Sequence, residues 1–274
     1  MTIGSQDEFN LVLSGGAALG YAHIGVIKRL YELDIYPNEI VGTSMGAIVG
    51  GVYALKLPKD EFLKLFNEFS SIFKWLKISF SNASIIDSQK IYKILDRHFG
   101  DMRVSQTPIP IKIIATNFES GELRVFGKSD DIALKDAILA SMSIPAIFPQ
   151  VQIDDTFYVD GYLGANLGLE YLSNKSIPTI AVDVMGQNSL SPFVKDKYRF
   201  FGHTKAVIKN MERAMRLMMI NQTKSIIQNF DGELILIEPK LHKFKTSHFQ
   251  KYRKIKKAGY RSTLEKIGLV TTIE

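Results

Sequence analysis

The 274-residue chain contains no cysteine. Disulfides, a thiolate nucleophile and thiolate metal sites are therefore excluded, and the composition fits a reducing compartment. Long apolar runs are missing too. The longest small and apolar stretch, Met45 to Leu55, is too short and too rich in glycine to cross a bilayer. Met1 to Asn10 has no cationic start followed by an apolar core, so no signal peptide is expected and a cytoplasmic protein is. No acidic loop has calcium-site spacing, and no repeat, low-complexity tract or clear linker interrupts the chain. No metal or other cofactor is expected. Histidines number only five, and all are expected in structural or exposed places.

What is present is a chain with 46% hydrophobic residues, long enough to bury a large core as one domain. Its net charge of +6 is unevenly placed. Residues 1–194 hold 16 Lys and Arg against 21 Asp and Glu, whereas Lys195 to Lys266 holds 18 against 6. The basic last third could sit on an anionic lipid surface or simply form solvated helix faces.

The chain is organised around Gly42-Thr43-Ser44-Met45-Gly46, which links the apolar run Glu39-Ile40-Val41 to a small-residue helix. A serine at such a strand-to-helix turn is forced into a strained conformation with its hydroxyl pushed outward, and the flanking glycines leave room for the reversal. The helix that follows aims free N–H groups at that oxygen. This is the geometry of an acyl-transfer nucleophile. The pentapeptide alone also fits a plain helix start with Ser44 as N-cap.

Upstream, the strand Phe9 to Leu13 runs into Ser14-Gly15-Gly16-Ala17-Ala18-Leu19-Gly20 and then a helix with Ile24, Ile27, Leu30 and Leu33 on one side. Such a glycine turn presents backbone N–H groups to an anion, either a phosphate or the oxyanion of a tetrahedral intermediate. A dinucleotide fold would need an acidic residue at the end of the second strand. That strand ends in Gly42-Thr43-Ser44, which favours the oxyanion.

Residues 58–100 read as aromatic-rich helices, with Asp87 or Ser88 as an N-cap within them. They form either an ordinary packed pair or a cap that receives acyl chains. Ile111 to Asn117 and Leu123 to Phe126 read as a hairpin through Glu119-Ser120-Gly121. The helix from about Asp131 leads into Ser141-Met142-Ser143-Ile144-Pro145-Ala146-Ile147-Phe148-Pro149, a loop stiffened by two prolines. Phe157-Tyr158-Val159 is a short strand ending at Asp160-Gly161. Further strands are expected over Ile177 to Met185 and Glu233 to Glu238, with helices over Phe200 to Phe230 and Tyr252 to Ile267. The alternation predicts an α/β fold with a mostly parallel sheet covered on both faces, Ser44, Asp160 and the Gly15-Gly16 turn projecting from its C-terminal edge.

In this order the blocks resemble the patatin-like phospholipase family. The stretch from Leu11 to Val26 is similar to its oxyanion-loop block, Gly42 to Gly46 to its nucleophile motif, Ser141 to Pro149 to its proline-containing loop, and Asp160-Gly161 to its Asp-Gly motif. Ala258-Gly259-Tyr260 also resembles the family. The resemblance implies a three-layer patatin-like sandwich over 1–274, with 58–100 as a helical cap insertion and 195–274 as a basic helical region. It implies hydrolysis of lipid acyl esters by a Ser44-Asp160 dyad, with N–H groups of Gly15, Gly16, Ala17 and Met45 holding the oxyanion and Gly42, Gly46 and Gly161 supporting the motifs. The implied substrate is a phospholipid or lysophospholipid. Peripheral contact with anionic membrane would run through Lys195 to Lys266, and no nucleic-acid partner is expected. The chain departs from the family at Ala17, where a third glycine is usual, at Leu19, where a cation is usual, and at Tyr162, where a small residue is usual. Two other readings stand beside this one: a lipid-surface binding protein with little or no catalysis, and an α/β-hydrolase-type esterase whose triad would use His203, His242 or His248.

Overall fold

The computed structural model describes residues 8–81, 88–145, 147–191 and 203–267. Its centre is an eight-stranded sheet with the order β5-β6-β3-β2-β1-β7-β8, β4 pairing with β3. The strands are β1 (Asn10–Leu13), β2 (Glu39–Thr43), β3 (Ile111–Asn117), β4 (Leu123–Phe126), β5 (Val151–Ile153), β6 (Thr156–Asp160), β7 (Thr179–Val182) and β8 (Leu234–Ile237). The helices are α1 (Tyr21–Glu32), α2 (Met45–Ala54), α3 (Lys59–Ser81), α4 (Ser88–Phe99), α5 (Leu134–Met142), α6 (His203–Gln228) and α7 (Tyr252–Lys266). Ser88 opens α4, while the alternative cap at Asp87 lies outside the described residues.

Strands β3, β2, β1, β7 and β8 run parallel, the arrangement that the helical crossovers demand. Side-chain alternation divides the interior into two cores. Leu11, Leu13, Ile40, Ile113, Ile180 and Val182 face the larger one, shared with α1, α2 and α5. Val12, Val41, Ile114 and Ala181 face the smaller one, closed by Leu167, Leu169, Leu172 and by Ile226 and Ile227 of α6. With both faces buried, these strands read as continuous apolar runs.

β6 is not part of the parallel set. β4 occupies one edge of β3 along Ile113–Thr116, so the other edge is shared in tandem. β2 takes its first half, ending with Thr43 opposite Ile114, and β6 arrives antiparallel to take the second, with Asp160 opposite Ala115. The ends of β2 and β6 thus abut on neighbouring register positions. The expectation that Asp160 leaves the same parallel edge as Ser44 is corrected accordingly. The reversal comes from β5, which the sequence reading lacks: it pairs with β6 through a tight turn at Asp154, whose φ is +52°.

For residues 58–100 the described side chains fit the packed pair of the two readings. Phe62, Phe66 and Phe69 of α3 are buried in the main core, where Phe62 meets Tyr31 and Tyr53 ring to ring. Ile91, Leu95 and Phe99 of α4 join the same core. No described side chain of this region borders the Ser44 cavity, and Phe62 packs against Tyr31 of α1 and Tyr53 of α2. The side chains of 71–90 lie outside the described set.

Helix α7 lies against α1 at very close range. A Cβ on Gly259 would come within 2.0 Å of the Ala22 carbonyl oxygen, and one on Gly25 within 2.0 Å of the Lys256 carbonyl oxygen. Glycine at both positions lets the backbones touch, which accounts physically for the Ala258-Gly259-Tyr260 motif.

Candidate active site

Ser44 stands between β2 and α2 with φ +54° and ψ −121°, a conformation costly for any residue with a side chain. It persists because its surroundings hold it. The Ser44 N–H donates to Ser141 Oγ at 2.8 Å, and the neighbouring Thr43 hydroxyl donates to the Ala165 carbonyl at 3.1 Å. A Cβ on Gly46 would lie 2.2 Å from the Leu13 carbonyl oxygen, so only glycine lets α2 start this close to β1.

The Ser44 hydroxyl donates to Asp160 Oδ2 at 2.6 Å. The other carboxylate oxygen accepts the Tyr162 N–H at 2.9 Å. The Asp160 main chain is fixed on both sides, its N–H donating to the Ser143 carbonyl at 2.9 Å and its carbonyl accepting from the Thr116 hydroxyl at 3.1 Å. Gly161 makes this possible, since a Cβ there would lie 2.3 Å from the Ile114 carbonyl oxygen. Asp160 is fully buried. Burial raises its pKa to about 7, against the opposing pull of the Ser44 and Tyr162 hydrogen bonds. A carboxyl group of ordinary acidity is thereby turned into one that exchanges protons near neutrality.

Both residues open onto a cavity of about 180 Å³. Its walls are mainly apolar, with Ile144, Ile147, Met185, Met215 and Met219, and its polar groups are Ser44, Asp160, Tyr162, Asn166, Arg216, Thr246 and Ser247. Arg216 of α6 is nearly buried and its guanidinium donates to the carbonyl and hydroxyl of Ser189, each at 2.6 Å. Tyr162, whose phenol is pushed up to about 12 by burial, forms part of the wall where the family has a small residue.

The glycine turn lies beside the serine, and its residues differ in what they present. Gly16 and Ala17 border the cavity, and among the described residues neither N–H has a hydrogen-bond acceptor. The Gly15 N–H differs from the expectation: it donates to the Asn166 carbonyl at 3.3 Å, and Gly15 is off the cavity wall. Met45 carries the first N–H of α2, which has no intrahelical partner by position. Its side chain packs on Gly20, and it too is off the wall. Ala17 has φ +45°, a left-handed conformation that suits the glycine usual in the family. Leu19 is buried in the main core.

Among the described residues no histidine side chain borders the Ser44 cavity. His23 is buried, and its Nε2–H donates to the Ser14 carbonyl at 2.8 Å, so the ring is the Nε2-protonated tautomer; burial lowers its pKa to about 4. His242 is exposed, and His248 Nδ1 accepts the Lys245 N–H. The side chain of His203 lies outside the described set. The serine meets the carboxylate directly, which leaves no place between them for an imidazole.

Sequence reading passed over Ser141, Ser143, Asn166 and Arg216. The two serines brace Ser44 and Asp160 from a stretch noticed for its prolines, and Asn166 and Arg216 carry no motif of their own. Among the described residues no group of His, Asp and Glu is arranged to hold a metal ion. None of the described helices is long and apolar enough to cross a membrane.

A family model for patatin-like phospholipase matches residues 11–173. An uncharacterized NTE family protein of Mycobacterium tuberculosis, Rv1063c, is 34% identical over 188 residues, covering 68% of this chain and 51% of the relative. Lysophospholipase NTE1 of Saccharomyces cerevisiae is 26% identical over 276 residues, 93% of this chain and 16% of the yeast protein. The chain thus spans about half the length of the mycobacterial relative and a smaller part of the yeast one. The crystal structure of VipD from Legionella pneumophila shares the fold, with a TM-score of 0.54 at 13% identity over 96% of this chain and 67% of VipD. The match covers more than half the chain and includes the elbow, the glycine turn and the Asp-Gly strand end: the chain belongs to the patatin-like phospholipase family.

Proposed function

We propose that the protein hydrolyses carboxylic esters of lipids, phospholipids or lysophospholipids, through an acyl-enzyme on Ser44 with Asp160 as the base. The observation that carries this reading is the 2.6 Å hydrogen bond from the Ser44 hydroxyl to a buried carboxylate whose pKa is raised to about 7. Ser44 Oγ attacks the acyl carbonyl as its proton passes to Asp160 Oδ2. The carbonyl oxygen becomes an oxyanion, facing the N–H groups of Gly16 and Ala17 with Met45 at the helix start; one such donor contributes about 3–4 kcal/mol in the transition state. Collapse expels the alcohol oxygen, which takes the proton back from Asp160. A water then gives its proton to Asp160 and attacks the acyl carbon, and Ser44 recovers its proton as the fatty acid leaves. The apolar wall of Ile144, Ile147, Met185 and Met219 suits the acyl chain.

The same helix that lines the cavity favours contact with a lipid surface. Met218 is 71% exposed, and Met215 and Leu217 are exposed beside it. Gln222 donates to the Gly164 carbonyl, which brings the exposed Leu163 next to α6. An apolar rim within a basic stretch fits an anionic membrane better than either feature alone.

The test is to incubate the protein and its Ser44→Ala variant with mixed phospholipid vesicles and with a short-chain aryl ester. Ser44-dependent release of fatty acid is expected. Release that persists in the variant refutes Ser44 as the nucleophile, and a silent folded wild type on both substrates refutes the hydrolase reading and favours a binding protein. Met218→Asp is expected to lower vesicle hydrolysis while sparing the aryl ester.

A further inference from the structure

Asn166 is 1% exposed, and neither its Oδ1 nor its Nδ2 has a hydrogen-bond partner among the described residues. An amide left in this state is disfavoured, since it has given up water at both ends and received nothing in exchange. Its position gives the reason. Asn166 borders the cavity with Ser44, Gly16 and Ala17. The point that a Cβ on Gly15 would occupy lies 2.9 Å from Asn166 Oδ1 and 3.2 Å from Ser44 Cβ, so the carboxamide and the serine face each other across the width of one methyl group. That space is kept open by glycine at position 15, whose N–H is already engaged by the Asn166 carbonyl. Gly15 thus seats Asn166 instead of offering an N–H to substrate.

We infer that Asn166 is a further catalytic residue, its side-chain amide donating from Nδ2 to the oxyanion that forms on the acyl carbonyl, beside the N–H groups of Gly16 and Ala17. The inference rests on the acyl-enzyme reading of Ser44. A half-turn about the terminal bond exchanges Oδ1 and Nδ2, and the free enzyme has no hydrogen bond to break in making it. The unpaired amide is satisfied only when negative charge develops next to Ser44. Such a donor acts on the transition state more than on bound ester, so its removal falls on kcat.

The test uses Asn166→Leu, which keeps the branching and approximate size while removing both polar atoms, with Asn166→Ala as a second variant. Hydrolysis of a short-chain aryl ester, labelling of Ser44 by a fluorophosphonate and thermal melting are measured on both and on wild type. The expected result is a kcat lowered about 100-fold, in the range known for loss of one oxyanion donor, with KM within about threefold. Labelling slows in parallel because the phosphonyl oxygen uses the same donors. Asn166→Leu melts at or above the wild-type temperature, because a buried unpaired amide has been replaced by an apolar group. Turnover within twofold of wild type in both variants overturns the inference, as does activity that falls only together with melting temperature. A wild type without Ser44-dependent turnover or labelling overturns the acyl-enzyme reading and this inference with it.

Discussion

The α1–α7 contact and the Ser44–Asp160 edge are built on opposite principles. At the first, two helices meet backbone to backbone over paired glycines, and Tyr21 packs edge-on against Tyr252 and Phe249. At the second, the same chain holds a serine and an alanine at positive φ, a fully buried carboxyl group facing a hydroxyl, and an asparagine whose side-chain amide has no partner among the described residues. Each of those features is unfavourable alone. The difference teaches where this protein keeps its stability and where it gives stability up for a site ready to receive charge.

Substitutions in the two regions should therefore move stability and activity in opposite directions. The largest effect is expected for Asp160→Asn, which removes the proposed base and should lower kcat by at least a thousandfold. The same variant should be more stable than wild type at pH 8. The folded carboxyl holds its proton up to about pH 7, whereas the unfolded one releases it near 4, so wild-type stability falls as pH rises between these values. Asn escapes that loss, and the Ser44 hydroxyl can turn to accept from its amide. Thermal melts at pH 8 and pH 4 check this, the gain shrinking at pH 4. A drop in melting temperature at pH 8 would break the contrast.

Next comes Gly259→Ala, which drives a methyl into the Ala22 carbonyl. Overpacking of this kind typically costs about 1–3 kcal/mol, and more where backbone is the obstacle. Chemical denaturation should show that loss, while the activity of the remaining folded fraction stays near wild type.

A smaller effect is the pH profile of kcat/KM for an aryl ester. It should fall about tenfold per unit below pH 7 and level off above it, because only ionised Asp160 accepts the serine proton. A profile flat from pH 5 to 8 would remove Asp160 from that role. Smallest is Ala17→Gly, which relieves a left-handed alanine worth roughly 1–2 kcal/mol. A matching gain in stability is expected, with activity unchanged or raised.

Much of the fold was legible because its parallel strands are buried on both faces and its helices show regular apolar spacing. Ser44 was legible for a local reason, since a strand, a turn and a helix within ten residues leave a compact signature. Asp160 was legible as a strand end, but its orientation was not: that depends on β5, three residues of ordinary composition whose pairing reverses β6. The aromatic excess of α3 was read two ways because composition carries no direction. Packing against Tyr31 and Tyr53 decides for the core wherever the side chains are described. Asn166 had no local signal at all, since a missing partner becomes visible only once every neighbour is in place.

The tandem seating of β2 and β6 on one edge of β3 also bears on how the site comes into being. Ser44 and Asp160 are 116 residues apart, and their meeting requires a parallel pairing and an antiparallel one on the same strand, both of long range and hence slow to form. A nascent chain carrying Ser44 alone lacks the carboxylate its hydroxyl meets in the fold, and a slip of one residue in the β6 register would move that carboxylate by about 3.3 Å, out of reach of the hydroxyl. Esterase activity should therefore recover late in refolding, as a report on completion of the sheet, and partly folded chains should leave the cell's lipids untouched.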